Sequence, residues 1–508
     1  MNDWIFYQIY PWSFCDSNGD GIGDLQGIRS KIPYLKELGV TAVWLSPCFQ
    51  SPMVDNGYDI SDYREIDGRV GTREELETLI NELHQNGIKI ILDFVANHTS
   101  DKHVWFENAK KSKDNPYRDY YVWRKTPPND WQSVFGGSAW EYDEQTQEYY
   151  LHSYAVEQPD LNWENEAVRK EMKAIVAFWL DKGVDGFRCD VLDMISKDVE
   201  KGINQNGPKL HEYIRELFDF DKEFFTVGEC WSASAENVEK FCGKGRKELT
   251  TVFCFSHILM QNGRFASKKP TLKRACEELA EWQMTTQNVG VTPTLFFENH
   301  DLARSVSRFG DEKHRFACAT LLGGLVLLHQ GIPFLYQGEE IGLTNNLLTD
   351  IAQVNDVESV RYYEENIPHT AKETLLRNIN ANGRDNARYM LPWTGEKVKS
   401  WQAEYHRREV INVEKDKASE NSVFAFYKEL IALRKREKAL HSGSYRLKEL
   451  NENGYVFERL YENEKITVVA SFEKQAYFAL PPNAEVLLDN YKNLRKNQTP
   501  YRLLVLKG

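Results

Sequence analysis

A chain of 508 residues with 41% hydrophobic and 13% aromatic content has material for a large core, and its length favours two to four domains. Its formal net charge of −13 argues against nucleic acid as the main partner, since phosphate contacts need a basic face. There is no apolar run long enough to span a bilayer, no basic amphipathic helix, and no signal-peptide pattern in Met-Asn-Asp-Trp-Ile-Phe-Tyr.

In chain order, short apolar runs alternate with helical stretches. The runs are Trp4 to Tyr10, Ala42 to Ser46, Ile88 to Val95, Gly186 to Val191, Phe224 to Glu229, Thr251 to Phe255, Thr294 to Asn299 and Pro333 to Gln337. Amphipathic segments such as Gly27 to Leu38, Thr72 to Asn86 and Glu166 to Lys182 lie between them. Strand alternating with helix predicts a parallel sheet, and eight such units predict an α/β fold built on a closed (β/α)8 TIM barrel. An open doubly wound sheet is the alternative, but no Gly-x-Gly-x-x-Gly turn follows the first strand.

Two regions break this rhythm. Residues 98–158 are rich in Trp, Tyr, Pro and Gly and end in an expected hairpin around Glu141 to His152, which predicts a small inserted domain after the third strand. From residue 437 the pattern turns all-β, with Asn453-Gly454 as a hairpin signal between alternating runs. The division expected is therefore a barrel over 1–97 and 159–436, an insert over 98–158, and a C-terminal antiparallel β-sandwich over 437–508. The eight cysteines show no CxxC pair and no framework spacing, which predicts reduced thiols and a cytoplasmic protein, monomeric or homodimeric.

A barrel of this kind draws its chemistry from the C-terminal ends of its strands. Those ends read Asp93-Phe-Val-Ala-Asn97-His98, Arg188-Cys-Asp190, Val227-Gly-Glu229 and Glu298-Asn299-His300-Asp301. Along a strand Arg188 and Asp190 share one face, where the guanidinium is expected to keep the carboxylate ionised. Glu229, followed by Cys230 and Trp231, is expected to be partly desolvated and its pKa raised. A pool of carboxylates without Cys/His metal spacing or a Gly-x-Ser-x-Gly elbow suits glycoside hydrolysis better than acyl transfer.

In order, these four stretches resemble the signature regions of the α-amylase superfamily, glycoside hydrolase family 13. Gln158-Pro159-Asp160-Leu161-Asn162 is similar to its fifth, and the likeness runs from Trp4 into the C-terminal β-region. The resemblance implies a retaining α-glycosidase with Asp190 as nucleophile, Glu229 as acid/base and Asp301 as the third carboxylate, bonding two sugar hydroxyls. His98 and His300 would bind hydroxyls and Tyr58 would stack on the ring.

Gly57 to Tyr63 and Gly383 to Arg388 resemble the exo-acting oligo-1,6-glucosidase and α-glucosidase branch. That likeness implies that Asp59, with Arg388 or in reserve Arg384, closes the pocket on the non-reducing-end 4-hydroxyl. In this branch a valine directly after the nucleophile, here Val191, goes with α-1,6 linkages, so the expected substrates are isomaltose, isomalto-oligosaccharides and panose. An α-1,4-glucosidase and a trehalose-6-phosphate hydrolase are the enzymatic alternatives, and a non-catalytic transporter-partner relative is the alternative from another class.

The stretch Asp16 to Asp24 places oxygen-bearing residues at alternate positions, as an EF-hand does, but Gly27 stands at the twelfth position. The resemblance implies one calcium ion here, held by the side chains of Asp16, Asn18, Asp20 and Asp24 and the carbonyl of Ile22. Two departures stand out. Cys230-Trp231-Ser232 follows the acid/base, and Ala303 to Ser307 replaces the Arg-Leu-Asp-Arg-Asp loop of sucrose isomerases.

Overall fold

A computed structural model describes residues 3–258, 264–265, 270–473, 484–492 and 500–508. All eight expected strands form, with ends shifted by a few residues. They are β1 Phe6–Ile9, β2 Ala42–Leu45, β3 Lys89–Val95, β4 Gly186–Asp190, β5 Phe225–Gly228, β6 Thr251–Val252, β7 Thr294–Leu295 and β8 Ile332–Tyr336. Every ladder among them is parallel, in the order β6-β5-β4-β3-β2-β1-β8-β7. The seam between β6 and β7 is stitched by threonine side chains. Thr251 Oγ1 donates to Thr292 O at 2.7 Å, and Thr294 Oγ1 donates to Val252 O at 3.1 Å. The barrel is thereby closed, as the alternation of strand and helix predicted.

Parallel strands covered on both faces read as near-continuous apolar runs, which is why they stood out in the sequence. Inside, aromatic rings fill the barrel in a layer: Phe6 stacks on Phe334 at 4.4 Å and leans on Phe225, while Phe253 packs edge-on against Phe334. The expected helix from Gly27 to Leu38 is two, Leu25–Ser30 and Ile32–Leu38. Pro33 lacks an N–H and its ring clashes with the preceding turn, so it starts a new helix rather than continuing the old one. The helix Arg73–Gln85 opens with a capping box between Thr72 and Glu75.

The insert after β3 carries a three-stranded antiparallel sheet, Trp123–Arg124, Glu148–Leu151 and Trp140–Asp143, which includes the expected hairpin. Bridges from His98 to Asp160 and from Tyr121 to Leu161 fasten it to the barrel rim. The C-terminal strands Ser444–Asn451, Gly454–Tyr461, Glu464–Ser471, Glu485–Asp489 and Arg502–Lys507 form one five-stranded antiparallel sheet. Helices Leu272–Val289, Arg315–Leu328 and Lys438–Ser442 cover one of its faces. Where a sandwich was expected, the layer packed on this sheet is helical, and no second sheet stands opposite it among the described residues. No helix among the described residues is long and apolar enough to cross a membrane.

Candidate active site

The ends of β3, β4, β5 and β7 open on a cavity of about 580 Å³, within the range of small-molecule sites. Its organising group is Arg188. The strand alternation that pairs it with Asp190 holds, and both side chains point inward. Arg188 Nη1 donates to Asp93 Oδ1 at 2.7 Å and to Asp190 Oδ1 at 2.6 Å, while Nη2 donates to Glu229. One buried guanidinium therefore gathers carboxylates from three neighbouring strands. Asp93 is braced from behind by Trp44 Nε1 at 2.9 Å and the Tyr58 hydroxyl at 3.1 Å.

Three carboxylates around one guanidinium leave an excess of negative charge. Burial pushes the Asp190 carboxyl well above its ordinary range; Arg188 opposes this, while Glu229 and Asp93 add to it. The expectation that Arg188 keeps Asp190 ionised is corrected on this point: burial outweighs the guanidinium. Asp190 and Glu229 are neighbours across Arg188, one carboxylate on each of its terminal nitrogens. Glu229 Oε1 also accepts from Trp231 Nε1 at 3.1 Å, and its Oε2 from Val191 N at 3.3 Å.

Asp301 has the opposite surroundings. Burial alone would raise its pKa, but His300, Arg388 and Arg384 together hold it well below the usual carboxylate range. Arg388 Nη2 donates to Asp301 Oδ1 at 2.6 Å, and His300 Nε2 lies 3.0 Å from Oδ2. His300 is fully buried, stacked under the Tyr58 ring at 5.1 Å, with Nδ1 fixed by Gln8 Nε2 at 2.8 Å. Tyr58 and His98 line the cavity. Burial pushes His98 down to about 4, so it is a neutral imidazole at pH 7, with Gln158 Nε2 at 3.1 Å from its Nε2. Val191 also lines the cavity, in the left-handed conformation at φ 35° and ψ 45°, a strained state for a β-branched residue.

The residues expected to close the pocket are placed differently. Asp59 is fully buried, and its oxygens are used by Ser51 Oγ at 2.9 Å, Val54 N at 2.9 Å and Asp55 N at 3.0 Å. It braces the turn and does not face the cavity. Asp55 does, and its partner is Arg384, the reserve choice, at 3.0 Å. Arg388 lies behind Asp301 and also donates to His300 O at 2.9 Å, so it orients that carboxylate and does not close the pocket. Positive φ at Asn56 (53°) and Gly57 (106°) reverses the chain between the two aspartates, so that the first reaches the cavity and the second does not. The Asp-Asn-Gly turn signal was present in the sequence, but its handedness was not.

Other residues went unassigned in the sequence. Phe135 of the insert lies over the Arg384 guanidinium at 4.8 Å. Lys197 Nζ, after β4, reaches Asn97 Oδ1, Met194 O and, at 3.0 Å, Asp160 Oδ2, holding the segment that follows the insert against the end of β3. In the loop proposed for metal, Asp16, Asn18 and Asp20 each accept from the backbone N–H two residues ahead, at 2.8–3.0 Å. Asp24 accepts from Ser17 and caps the helix Leu25–Ser30 through Gly27 N. Among the described residues no three His, Cys, Asp or Glu side chains converge as a metal cluster.

Residues 8–443 match the family model for the α-amylase catalytic domain. The chain belongs to this family. It is 41% identical to an oligo-1,6-glucosidase of Bacillus cereus, over 96% of this chain and 94% of that one. It is also 41% identical to a glucan 1,6-α-glucosidase of Streptococcus pneumoniae, covering 93% and 91% of the two chains. Among solved structures, trehalose-6-phosphate hydrolase of Bacillus licheniformis superimposes with a TM-score of 0.91 at 36% identity, covering 100% of this chain and 99% of that one.

Proposed function

We propose that this protein is a retaining exo-α-glucosidase that releases glucose from the non-reducing end of short α-1,6-linked glucosides. The observation that carries the proposal is the convergence of Asp190, Glu229 and Asp301 on one cavity that the Asp55–Arg384 ion pair also lines. We take that pair as the pocket's end wall, which would admit one terminal sugar and no chain beyond it. That Asp190 and Glu229 both accept from the one Arg188 guanidinium sets them close together, the spacing that suits a retaining mechanism.

The proposed reaction starts with Asp190 ionised and Glu229 carrying the proton to be donated. Ionised Asp190 attacks the anomeric carbon as the glycosidic C–O bond breaks, and the Glu229 proton passes to the departing oxygen. In the second half, Glu229 takes a proton from water, whose oxygen attacks the same carbon and expels Asp190. Asp301, held ionised, accepts hydrogen bonds from two sugar hydroxyls, and Arg188 balances the charge as it moves between carboxylates.

The α-1,6 preference rests on Val191 at the cavity wall and agrees with the activities named for the B. cereus and S. pneumoniae relatives. Parallel incubation with isomaltose, maltose, sucrose and trehalose-6-phosphate tests it. Isomaltose is expected to be cleaved fastest, and faster cleavage of maltose or the phosphorylated sugar would overturn it.

For the loop Asp16 to Asp24 we propose one calcium ion as a structural clasp, supported by the alternating oxygen donors and the consecutive turns they form. Calcium titration by calorimetry before and after Asp20→Ala tests this, and equal heats in both proteins would dismiss it. The cysteines, all but Cys242 buried and without a disulfide among the described residues, support a reducing cytoplasmic setting for the enzyme.

A further inference from the structure

Three residues after Asp190, the fully buried Asp193 has an unusual set of partners. Its Oδ2 accepts from the backbone N–H of Ser232 at 2.7 Å, and its Oδ1 is buried without a hydrogen-bond partner. No lysine, arginine or histidine forms an ion pair with it among the described residues. Burial raises its carboxyl to about 6. Its one strong contact lands on the loop that follows the acid/base, immediately beyond Trp231.

The same turn grips Glu229 at two further points. Leu192 N donates to the Glu229 carbonyl at 2.9 Å, and Val191 N reaches its side chain at 3.3 Å. The left-handed Val191 is what aims the Leu192 N–H at the Glu229 carbonyl just beyond β5. Across the grip, the Trp231 indole stacks on Phe255 at 4.2 Å and donates to Glu229 Oε1 at 3.1 Å. Trp231 is 37% exposed, so packing alone does not fix it; its backbone is pinned one residue later, at Ser232.

We propose that Asp193 is a positioning residue for the general acid, fixing Ser232 so that the Trp231 N–H holds Glu229 in line with the departing oxygen. This rests on the glucosidase proposal above and deepens it. A misplaced acid harms substrates whose leaving group must be protonated and spares those whose leaving group departs unaided.

The test is kcat/KM on isomaltose and on p-nitrophenyl α-glucoside for wild type, Asp193→Ala and Asp193→Asn. General acid catalysis contributes about 10²–10⁴-fold, so partial misplacement in Asp193→Ala should cost about 10- to 100-fold on isomaltose, carried by kcat, and under about threefold on the aryl glucoside. Asp193→Asn keeps an acceptor for Ser232 N and should restore both activities. Equal losses on both substrates, or no loss on isomaltose, would overturn the proposal. If Asp193→Ala does not fold, Trp231→Phe keeps the stacked ring and removes the N–H; a selective loss on isomaltose supports the proposal and a uniform one refutes it. A wild-type protein that cleaves neither substrate would instead be a failure of the glucosidase proposal.

Discussion

Substituting asparagine for Asp55 probes the closed end of the pocket. Asp55 and Arg384 are both buried and 3.0 Å apart. Removing one member of an isolated buried pair costs about 3–5 kcal/mol of stability. Here Arg384 keeps Asp356 at 2.7 Å and Asp301 at 3.4 Å, so the guanidinium stays paired and the fold should survive. What Asp55→Asn removes is a charged acceptor for the terminal sugar hydroxyl, about 1.5–3 kcal/mol for a bond to a charged group. At about 1.4 kcal/mol per tenfold, kcat/KM should fall roughly 10- to 150-fold. The loss should be the same for isomaltose and p-nitrophenyl α-glucoside, because both seat the same glucose against Asp55, unlike the selective loss expected of Asp193→Ala. Steady-state kinetics on the two substrates, with a thermal melt to verify folding, decides the matter. A variant within about threefold of wild type on both would show that Asp55 does not hold the terminal sugar, and the exo assignment would lose its physical basis.

Asp190→Asn should abolish hydrolysis by about 10⁴-fold or more while leaving the circular-dichroism spectrum unchanged; substantial residual turnover would remove Asp190 from the nucleophile role. The same variant should melt higher than wild type at neutral pH. Burial raises the folded pKa of Asp190 above its unfolded value of about 3.9, so its ionised form opposes folding above the folded pKa, and that penalty fades as pH falls towards about 4. Scanning calorimetry at about pH 7.5 and pH 4 should show the two melting curves converge at the acidic end. Asp301 carries the reverse linkage: its folded pKa is depressed, so its contribution to stability is present above about 3.9 and lost as pH falls through the folded value. Lys197→Met leaves Asp160 buried without its cation and should cost about 3–5 kcal/mol in urea unfolding; a loss under about 1 kcal/mol would mean that the ammonium does not clasp the segment after the insert to the strand ends.

How much of this was legible from the chain depends on which residues a strand fixes. Arg188, Asp190 and Glu229 stand on or directly after strands, where period-two alternation and the direction of the sheet determine what faces the cavity, so their grouping could be read from the sequence alone. Asp59 and Arg388 were misassigned because they sit in turns. Between Asp55 and Asp59 two positive-φ residues invert the chain, and within Arg384 to Arg388 a single helical turn sends one guanidinium to the cavity and the other behind Asp301. Composition marks such turns but does not give their hand. The strain at Val191 is likewise invisible in sequence, since valine is an ordinary residue at a strand end and only its φ of 35° shows otherwise. That strain ties the two halves of the site together. A relaxed, extended Val191 would carry the next N–H, that of Leu192, away from the Glu229 carbonyl and loosen the acid/base from the nucleophile's strand. Val191→Gly would keep the left-handed turn at no steric cost, so it should preserve the hold on Glu229 while removing the side chain proposed to set linkage. Retained turnover with an altered isomaltose-to-maltose ratio would separate these two roles of one residue, and loss of all activity would show that the side chain itself supports the turn.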